Sequence, residues 1–85
     1  MKKKVGIAGF GVVGKRRAKF IKDIKELEVV AVCDQTYTGS GVLVDGVRYF
    51  SNYRELIDQD LEILFVCISN DMAAKVTIAG LEAGF

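Results

Sequence analysis

Three glycines near the N-terminus constrain the fold of this chain more than any other feature. Gly9, Gly11 and Gly14 separate an apolar run, Lys4 to Ala8, from a stretch over residues 12–24 in which apolar and basic residues alternate at roughly helical spacing. The first run is typical of a strand buried on both faces, and the second predicts an amphipathic helix. A tight strand-to-helix turn is the structure that glycines at these positions favour. The expected apolar positions of the helix are Val13, Ala18, Phe20, Ile21 and Ile24.

Two more long apolar runs and one short one predict further strands. The long runs span residues 28–34 and 62–69, and a loop over residues 35–41 follows the first of them. The short run, Val47 to Phe50, comes directly after Asp45-Gly46, which is typical of a turn. The β-branched and apolar composition of the long runs favours strands buried in a sheet.

Two helices are predicted in the second half of the chain. Ser51 or Asn52 is expected to cap a short helix that runs to about Asp58, with Tyr53, Leu56 and Ile57 on one face. Asn70 or Asp71 is expected to cap the last helix, and Gly84 to end it. The expected apolar side of that last helix carries Ala74, Ile78 and Leu81.

Strands that alternate with helices favour parallel pairing through right-handed crossovers. The predicted fold is therefore α/β, a partial doubly wound (Rossmann) parallel sheet with the element order β-α-β-β-α-β-α. In the usual strand order 3-2-1-4, the strand over residues 62–69 lies beside the first strand. The length allows one small domain at most, and a long apolar strand would be left at an open edge of the sheet. We therefore expect residues 1–85 to be the N-terminal part of a larger domain, or to be completed by a partner.

Composition and charge exclude several classes of protein. The chain is 51% hydrophobic with a net charge of +1, which excludes a disordered tail. It has no His, so it lacks the commonest metal ligand and general base. Residues 1–25 hold nine of the twelve Lys and Arg, which is typical either of a solvated helix face or of a positive field for a polyanion. Nucleic acid is disfavoured because the net charge is small.

No apolar stretch reaches membrane-spanning length, and the basic run at residues 15–17 argues against a signal peptide, so a cytoplasmic protein is expected. Cys33 and Cys67 are expected to stay reduced. They end strands on either side of the first one, roughly 9–10 Å apart, which is too far for a disulfide.

The glycines also form a G-x-G-x-x-G motif, Gly9-Phe10-Gly11-Val12-Val13-Gly14, and Asp34 stands 20 residues beyond its last glycine. Together with the flanking strand and helix, this pattern is the fingerprint of a dinucleotide-binding turn. The glycines allow the turn, the approach of a pyrophosphate and close helix packing, and the N–H groups of Val12 and Val13 can bind phosphate oxygens. Asp34 can accept hydrogen bonds from the adenosine ribose. Its charge favours NAD over NADP because no Lys or Arg follows over residues 35–37.

Ser69 and Asn70 end the third long strand, at the edge of the sheet where ligands bind. Asn70 can bind a ribose or cap the last helix, and the sequence leaves both roles open. Asp71 is expected to interact with the helix dipole rather than to act in catalysis. The sequence predicts no metal ligands.

Several segments together resemble the glucose–fructose oxidoreductase/inositol dehydrogenase (Gfo/Idh/MocA) family. They cover nearly the whole chain and are residues 5–14, 29–34, 53–56, 61–70 and 79–84. The resemblance implies an NAD(P)-dependent oxidoreductase acting on a sugar, an inositol or a related polyol through a separate substrate domain, often as a homo-oligomer. It assigns residues 9–14 and Asp34 to the cofactor, and Ser69 and Asn70 to the loop near the nicotinamide-side ribose.

The chain departs from the family pattern in two places. The family's loop commonly reads Thr-Pro-Asn with a His three residues later, whereas this chain has Ile68-Ser69-Asn70 and Ala73. The family's Glu-Lys-Pro motif, with its catalytic Lys, is expected beyond Phe85, so no catalytic residue is assigned within the chain. The alternative expectation is a non-catalytic, nucleotide-sensing Rossmann module of the kind that regulates potassium channels.

Overall fold

The structure is a computed structural model that describes residues 2–68 and 70–85; for Asn70 and Asp71 it describes the backbone alone. Within these described residues are five strands and three helices. In order they are β1 (Lys3–Ala8), α1 (Val12–Lys22), β2 (Leu27–Cys33), β3 (Gly41–Val42), β4 (Arg48–Phe50), α2 (Tyr53–Ile57), β5 (Ile63–Val66) and α3 (Asn70–Glu82). No helix among the described residues has the length and apolar character needed to cross a membrane.

The strands form one sheet in the order β3-β4-β2-β1-β5. β1 pairs in parallel with β2 and β5, and β2 pairs in parallel with β4. Among the described strands, the two-residue β3 alone runs antiparallel, and it is joined to β4 through the turn at Asp45-Gly46. The predicted α/β class and the predicted neighbours of β1 are confirmed.

The helices cover the two faces of the sheet. On one face, Ala18 and Ile21 of α1 pack with Val5, Ile7 and Val32. On the opposite face, α2 and α3 pack against residues that alternate with these along the strands. That second cluster contains Ala8, Ala31, Cys33, Phe50, Leu56 and Val76. The sheet is therefore a doubly wound one whose strand-to-helix turns gather at the carboxyl ends of β1, β4 and β5, beside the loop that follows β2.

The predicted buried face of α1 is wrong in part. Ala18 and Ile21 are buried, but Val13, Phe20 and Ile24 are exposed. The third buried position is Gly14, which has no side chain. Gly14 and Ala18 are small residues four positions apart, so they let the helix lie close to the sheet, against which Ile21 also packs. Val13, Phe20 and Ile24 remain exposed.

The predicted apolar side of α3 is wrong for the same reason. Ile78 and Leu81 are exposed to 57% and 65%, whereas Val76 is fully buried and Gly80 is buried. A Cβ on Gly80 would lie 2.9 Å from a Leu64 methyl group. The side of α3 that carries Val76 and Gly80 therefore faces β5, and the glycine leaves space for the Leu64 side chain.

Two helix ends follow the predicted signals, whereas the side chains of Asn70 and Asp71, the predicted caps of α3, lie outside the described residues. Asn52 is the N-cap of α2, and its side chain accepts a 3.0 Å hydrogen bond from the Glu55 N–H. After α3, Gly84 has a φ of 100°, and the Phe85 N–H donates to the Gly80 carbonyl at 3.0 Å. This pairing is a Schellman end, which confirms Gly84 as the stop.

Candidate functional site

The turn between β1 and α1 depends on glycine at two of the three motif positions. Gly9 has a φ of 95°, and a Cβ there would collide with the Ile68 side chain and lie 2.5 Å from the Cys67 carbonyl oxygen. A Cβ on Gly14 would collide with the Gly9 carbonyl oxygen. The turn therefore lies tightly between the end of β5 and the first turn of α1, as the motif predicts.

The middle glycine has no such neighbours. Gly11 is the N-cap of α1, and a Cβ built on it would meet nothing within 4 Å. The first helical bond runs from the Lys15 N–H to the Gly11 carbonyl at 2.9 Å, so the N–H groups of Val12 and Val13 precede it. No acidic residue occupies this first turn. The start of α1 thus offers free donors, a positive dipole end and open space, which together suit an anion.

Asp34 connects the end of β2 to this turn. One carboxylate oxygen, Oδ2, accepts a 2.7 Å hydrogen bond from the Phe10 N–H. The other, Oδ1, accepts bonds from the Thr36 N–H at 2.9 Å and from the Thr36 hydroxyl at 2.8 Å. The carboxylate is therefore fixed beside the glycine turn at the position from which it can meet a ribose.

The environment of Asp34 keeps it ionised. Partial burial alone would raise the pKa of the carboxyl, but the hydrogen bonds from Thr36 and Phe10 and the charge of Lys15 outweigh that effect. The pKa of Asp34 consequently lies below its usual range. A negative charge at this place persists through neutral and mildly acidic pH.

A groove of about 350 Å³ opens at this edge of the sheet, a volume in the range of small-molecule sites, roughly 300–1,000 Å³. Of the predicted cofactor residues, it brings together Gly9, Gly11 and Asp34. The full lining is Gly9, Gly11, Cys33, Asp34, Gln35, Ser51, Asn52, Tyr53, Cys67, Ile68 and Met72.

The other predicted residues lie around the groove or outside the described part. Val12 and Val13 are exposed at the start of α1, and Gly14 is buried beneath the turn. The Phe10 side chain lines a different groove. Ser69 lies outside the described residues, and so does the side chain of Asn70.

Sequence reasoning missed one wall of the groove, formed by Ser51, Asn52, Tyr53 and Met72. The first three directly follow β4, and the fourth lies in the first turn of α3 after β5. Residues that follow a parallel strand collect at the ligand edge of such a sheet. That rule indicates Ser51 and Asn52 as groove residues, whereas the helix signals in the sequence predict only a capping role for them.

Both cysteines line the groove and both are free, as expected. Burial raises the pKa of the Cys33 thiol to about 11, although a backbone hydrogen bond involving Gly9 acts in the opposite direction. Cys33 is therefore a protonated packing residue at neutral pH.

A second groove, of about 270 Å³, lies between α1 and β2 on the other side of the glycine turn. Four lysines line it, Lys2, Lys15, Lys19 and Lys22, together with the acids Glu28 and Asp45. The Lys22 ammonium lies 3.9 Å from the Asp45 carboxylate, and both side chains are exposed. Part of the positive charge of the N-terminal segment therefore lies around this groove.

A comparison with known families supports the oxidoreductase interpretation rather than the nucleotide-sensing regulatory module. A sequence model of the Gfo/Idh/MocA family, described as "Oxidoreductase family, NAD-binding Rossmann fold", matches residues 3–85. This chain belongs to that family. The resemblance inferred from the motifs is confirmed, and the chain is NAD-binding domain sequence from a family of oxidoreductases.

Relatives within the Gfo/Idh/MocA family include inositol dehydrogenases. The inositol 2-dehydrogenases of Salmonella paratyphi B and Salmonella typhimurium are each 32% identical to the chain over 86 aligned positions. Each alignment covers 94% of the chain and 26% of the relative. The chain therefore spans about a quarter of the length of these relatives.

Solved structures of similar proteins share the fold. The myo-inositol 2-dehydrogenase of Lactobacillus plantarum superposes with a TM-score of 0.80 at 19% identity, covering 100% of the chain and 26% of that protein. The scyllo-inositol dehydrogenase of Lactobacillus casei, solved with NAD(H) and scyllo-inositol, gives 0.79 at 21% identity, covering 99% and 26%. The comparisons give no support to the nucleotide-sensing regulatory module.

Proposed function

We propose that this chain is the NAD-binding part of a dehydrogenase that oxidises or reduces an inositol or a related sugar polyol. Residues 1–85 would form the N-terminal part of the dinucleotide-binding domain, with the substrate domain outside this sequence. The observation that carries the proposal is the Asp34 carboxylate, held 2.7 Å from the Phe10 N–H of the glycine turn. It supplies a ribose acceptor beside an anion-binding helix start.

The residues present fit a dinucleotide. The open space over Gly11 leaves the backbone accessible to a pyrophosphate, and the N–H groups of Val12 and Val13 are in position to donate to it. Asp34 would accept from the adenosine ribose. Ser69 and Asn70, which follow β5, remain the predicted contacts of the nicotinamide-side ribose.

The charge at the site favours NAD over NADP. A 2′-phosphate would lie against the ionised Asp34, and Gln35, Thr36 and Tyr37 offer no cation to compensate for it. Repulsion of this kind discriminates by destabilising the complex with the wrong cofactor. The proposed cofactor is therefore NAD.

When bound, the nicotinamide supplies the hydride chemistry, and the residues of this chain bind and orient the dinucleotide. We assign no catalytic residue within residues 1–85. The inositol or polyol substrate is supported by the names of the relatives and by the scyllo-inositol in one structural neighbour. The homo-oligomer and the cytoplasmic location remain predictions from the sequence.

The test is a fluorescence titration of the protein with NADH and with NADPH. Asp34→Ala should weaken NADH binding by about 1–3 kcal/mol, roughly five- to 150-fold, because a charge-assisted hydrogen bond is lost. Asp60→Ala is a matched control, because it removes an equal charge from an exposed ion pair with Lys4. That pair lies near the amino-terminal ends of β1 and β5, away from the glycine turn. Unchanged affinity of the Asp34 variant for both nucleotides would refute the assignment.

The substrate class needs a separate assay on the full-length protein. We expect NADH formation that depends on an inositol or a sugar polyol, measured by absorbance across a panel of such compounds. NAD binding without turnover of any member of the panel would contradict the substrate class and leave the cofactor assignment standing.

A further inference from the structure

Thr36 makes two of the three hydrogen bonds that hold the Asp34 carboxylate. Its N–H and its hydroxyl both donate to Oδ1, at 2.9 and 2.8 Å, while Oδ2 is bound by the Phe10 N–H. Because both oxygens have donors on different segments of the chain, the carboxylate cannot rotate without breaking a bond. Its orientation is therefore set by the protein before any ligand arrives.

The loop that carries Thr36 is itself folded around Asp34. The Tyr37 N–H donates to the Asp34 main-chain carbonyl at 3.1 Å, and the Asp34 N–H donates to the Phe50 carbonyl at 3.1 Å. The backbone of Asp34 is thereby anchored to β4, and the turn after it returns the Thr36 hydroxyl to the carboxylate. This arrangement matches a side chain that has to be presented in one fixed direction.

Thr36 acts on the groove only through Asp34. The lining of the groove includes Asp34 and Gln35 but not Thr36, and Thr36 is exposed. Its hydroxyl donates a hydrogen bond to Oδ1 and so supports the carboxylate without occupying the space of a ligand. Two bonds to Oδ1 also leave the remaining acceptor capacity of the carboxylate on Oδ2, the oxygen nearer the glycine turn.

We propose that Thr36 is a positioning residue for cofactor recognition: its hydroxyl fixes the Asp34 carboxylate in the orientation that accepts a ribose and rejects a 2′-phosphate. This inference rests on the proposed function, since it assumes that Asp34 meets the adenosine ribose. It makes a residue outside the groove a determinant of both NAD affinity and the preference for NAD over NADP.

Among the side chains that the structure describes, three other charged or titratable groups lie near Asp34, and none of them is replaced by a change at Thr36. Lys15 on α1 lowers the pKa of the carboxyl. Cys33 on β2 is neutral at physiological pH, since burial raises its pKa to about 11. Burial, followed by the Asp34 charge, raises the pKa of Tyr37, so it too is neutral. The Thr36 hydroxyl is thus the group whose removal changes the titration of Asp34 with least disturbance.

The test compares Thr36→Val with Thr36→Ser in the full-length protein. Valine has nearly the shape of threonine and removes the hydroxyl donor, whereas serine keeps the donor and removes the methyl group. Calorimetric titration gives the affinity for NAD⁺ and for NADP⁺, and repeating the NAD⁺ titration at decreasing pH gives the acid limit of binding. Thermal denaturation verifies that both variants are folded.

We expect Thr36→Val to bind NAD⁺ about three- to tenfold more weakly, with a smaller NAD⁺ preference, because one exposed donor to a carboxylate is lost. Its binding should also begin to fail at a higher pH than in the wild type, since the lost bond lowers the pKa of Asp34. Thr36→Ser should restore all three properties.

An unchanged affinity and acid limit in Thr36→Val would overturn the inference, as would equal weakening in the valine and serine variants. Failure of the proposed function looks different. In that case the wild type would not bind NAD⁺, or Asp34→Ala would bind it as tightly as the wild type.

Discussion

The packing of Gly14 against the glycine turn predicts a loss of stability in Gly14→Ala that Gly11→Ala does not share. A methyl group on Gly14 would collide with the Gly9 carbonyl oxygen and lie 2.9 Å from the carbonyl carbon. The obstacle is backbone, so no side-chain rotation relieves it. The turn is also anchored, because the Gly9 N–H donates to the Cys33 carbonyl at 2.8 Å.

The magnitude follows from three opposing effects. Alanine favours the helix over glycine by about 1 kcal/mol, and burying a methyl group contributes about 0.8 kcal/mol. Against these stands a collision with backbone that forces α1 away from the turn, at a cost of about 3 kcal/mol or more, the upper end of what overpacking requires. We therefore expect Gly14→Ala to lose at least about 1 kcal/mol in total, which lowers Tm by about 2 °C or more.

The matched variant is Gly11→Ala, where the added methyl group meets nothing within 4 Å and φ is −81°. Its free energy of unfolding should stay within about 1 kcal/mol of the wild type, the size of a change at an N-cap. Its affinity for NAD⁺ should nevertheless fall more than about tenfold, because the methyl group occupies the approach of the pyrophosphate.

Circular dichroism melts and NAD⁺ calorimetry on both variants separate the two roles. The expected pattern is an unstable Gly14→Ala and a stable Gly11→Ala that binds NAD⁺ poorly. A Gly14→Ala protein as stable as the wild type would refute the packing argument. A Gly11→Ala protein with wild-type affinity would refute the position assigned to the pyrophosphate.

Three further predictions test the helices and the buried thiol. In urea denaturation, Val76→Ala should cost about 2 kcal/mol, because Val76 is fully buried, and Ile78→Ala should cost less than about 1 kcal/mol; the reverse order would mean that α3 faces the sheet with its other side. Asn52→Ala should lower the free energy of unfolding by about 1 kcal/mol through loss of the bond to the Glu55 N–H, and an unchanged midpoint would contradict that cap. Cys33 should be alkylated half-maximally near pH 11, as followed by peptide mapping, rather than near its ordinary 9.0. Because that pKa is raised, the stabilisation from the buried neutral thiol is complete below pH 9.0 and is lost as the pH rises through about 11.

The elements could be predicted because their determinants are local. The glycine turn, the apolar runs and the helix signals each occupy fewer than about ten residues, and the usual strand order of a doubly wound sheet then gives the neighbours of β1. The confirmed positions of Asn52 and Gly84 have the same origin. Each depends on a backbone conformation that a few residue types adopt most readily.

The buried faces of α1 and α3 could not be predicted in the same way. Both helices carry apolar residues on more than one side, so periodicity alone offers two candidate faces. The choice depends on distance from the sheet: Gly14 and Gly80 allow an approach that Phe20 or Ile78 would prevent. In α1, the spacing of Gly14 and Ala18 indicates the buried face.

The candidate site likewise has one part that local sequence predicts and another that depends on the tertiary fold. Gly9, Gly11 and Asp34 are set by local sequence and do line one groove. The bonds between Asp34 and Thr36 depend on how the loop after β2 folds back, which its composition does not specify. To predict the wall formed by the residues after β4, one needs the strand order and then the rule that ligands bind at the carboxyl ends of parallel strands.

The central claim is that NAD binds across the start of α1 with its adenosine ribose on Asp34. A crystal structure of the full-length protein with NAD⁺ tests it most directly. The account predicts the pyrophosphate within hydrogen-bond distance of the Val12 and Val13 N–H groups and a ribose hydroxyl on the Asp34 carboxylate. A dinucleotide bound instead in the lysine-lined groove between α1 and β2, or a ribose that makes no contact with Asp34, would contradict it.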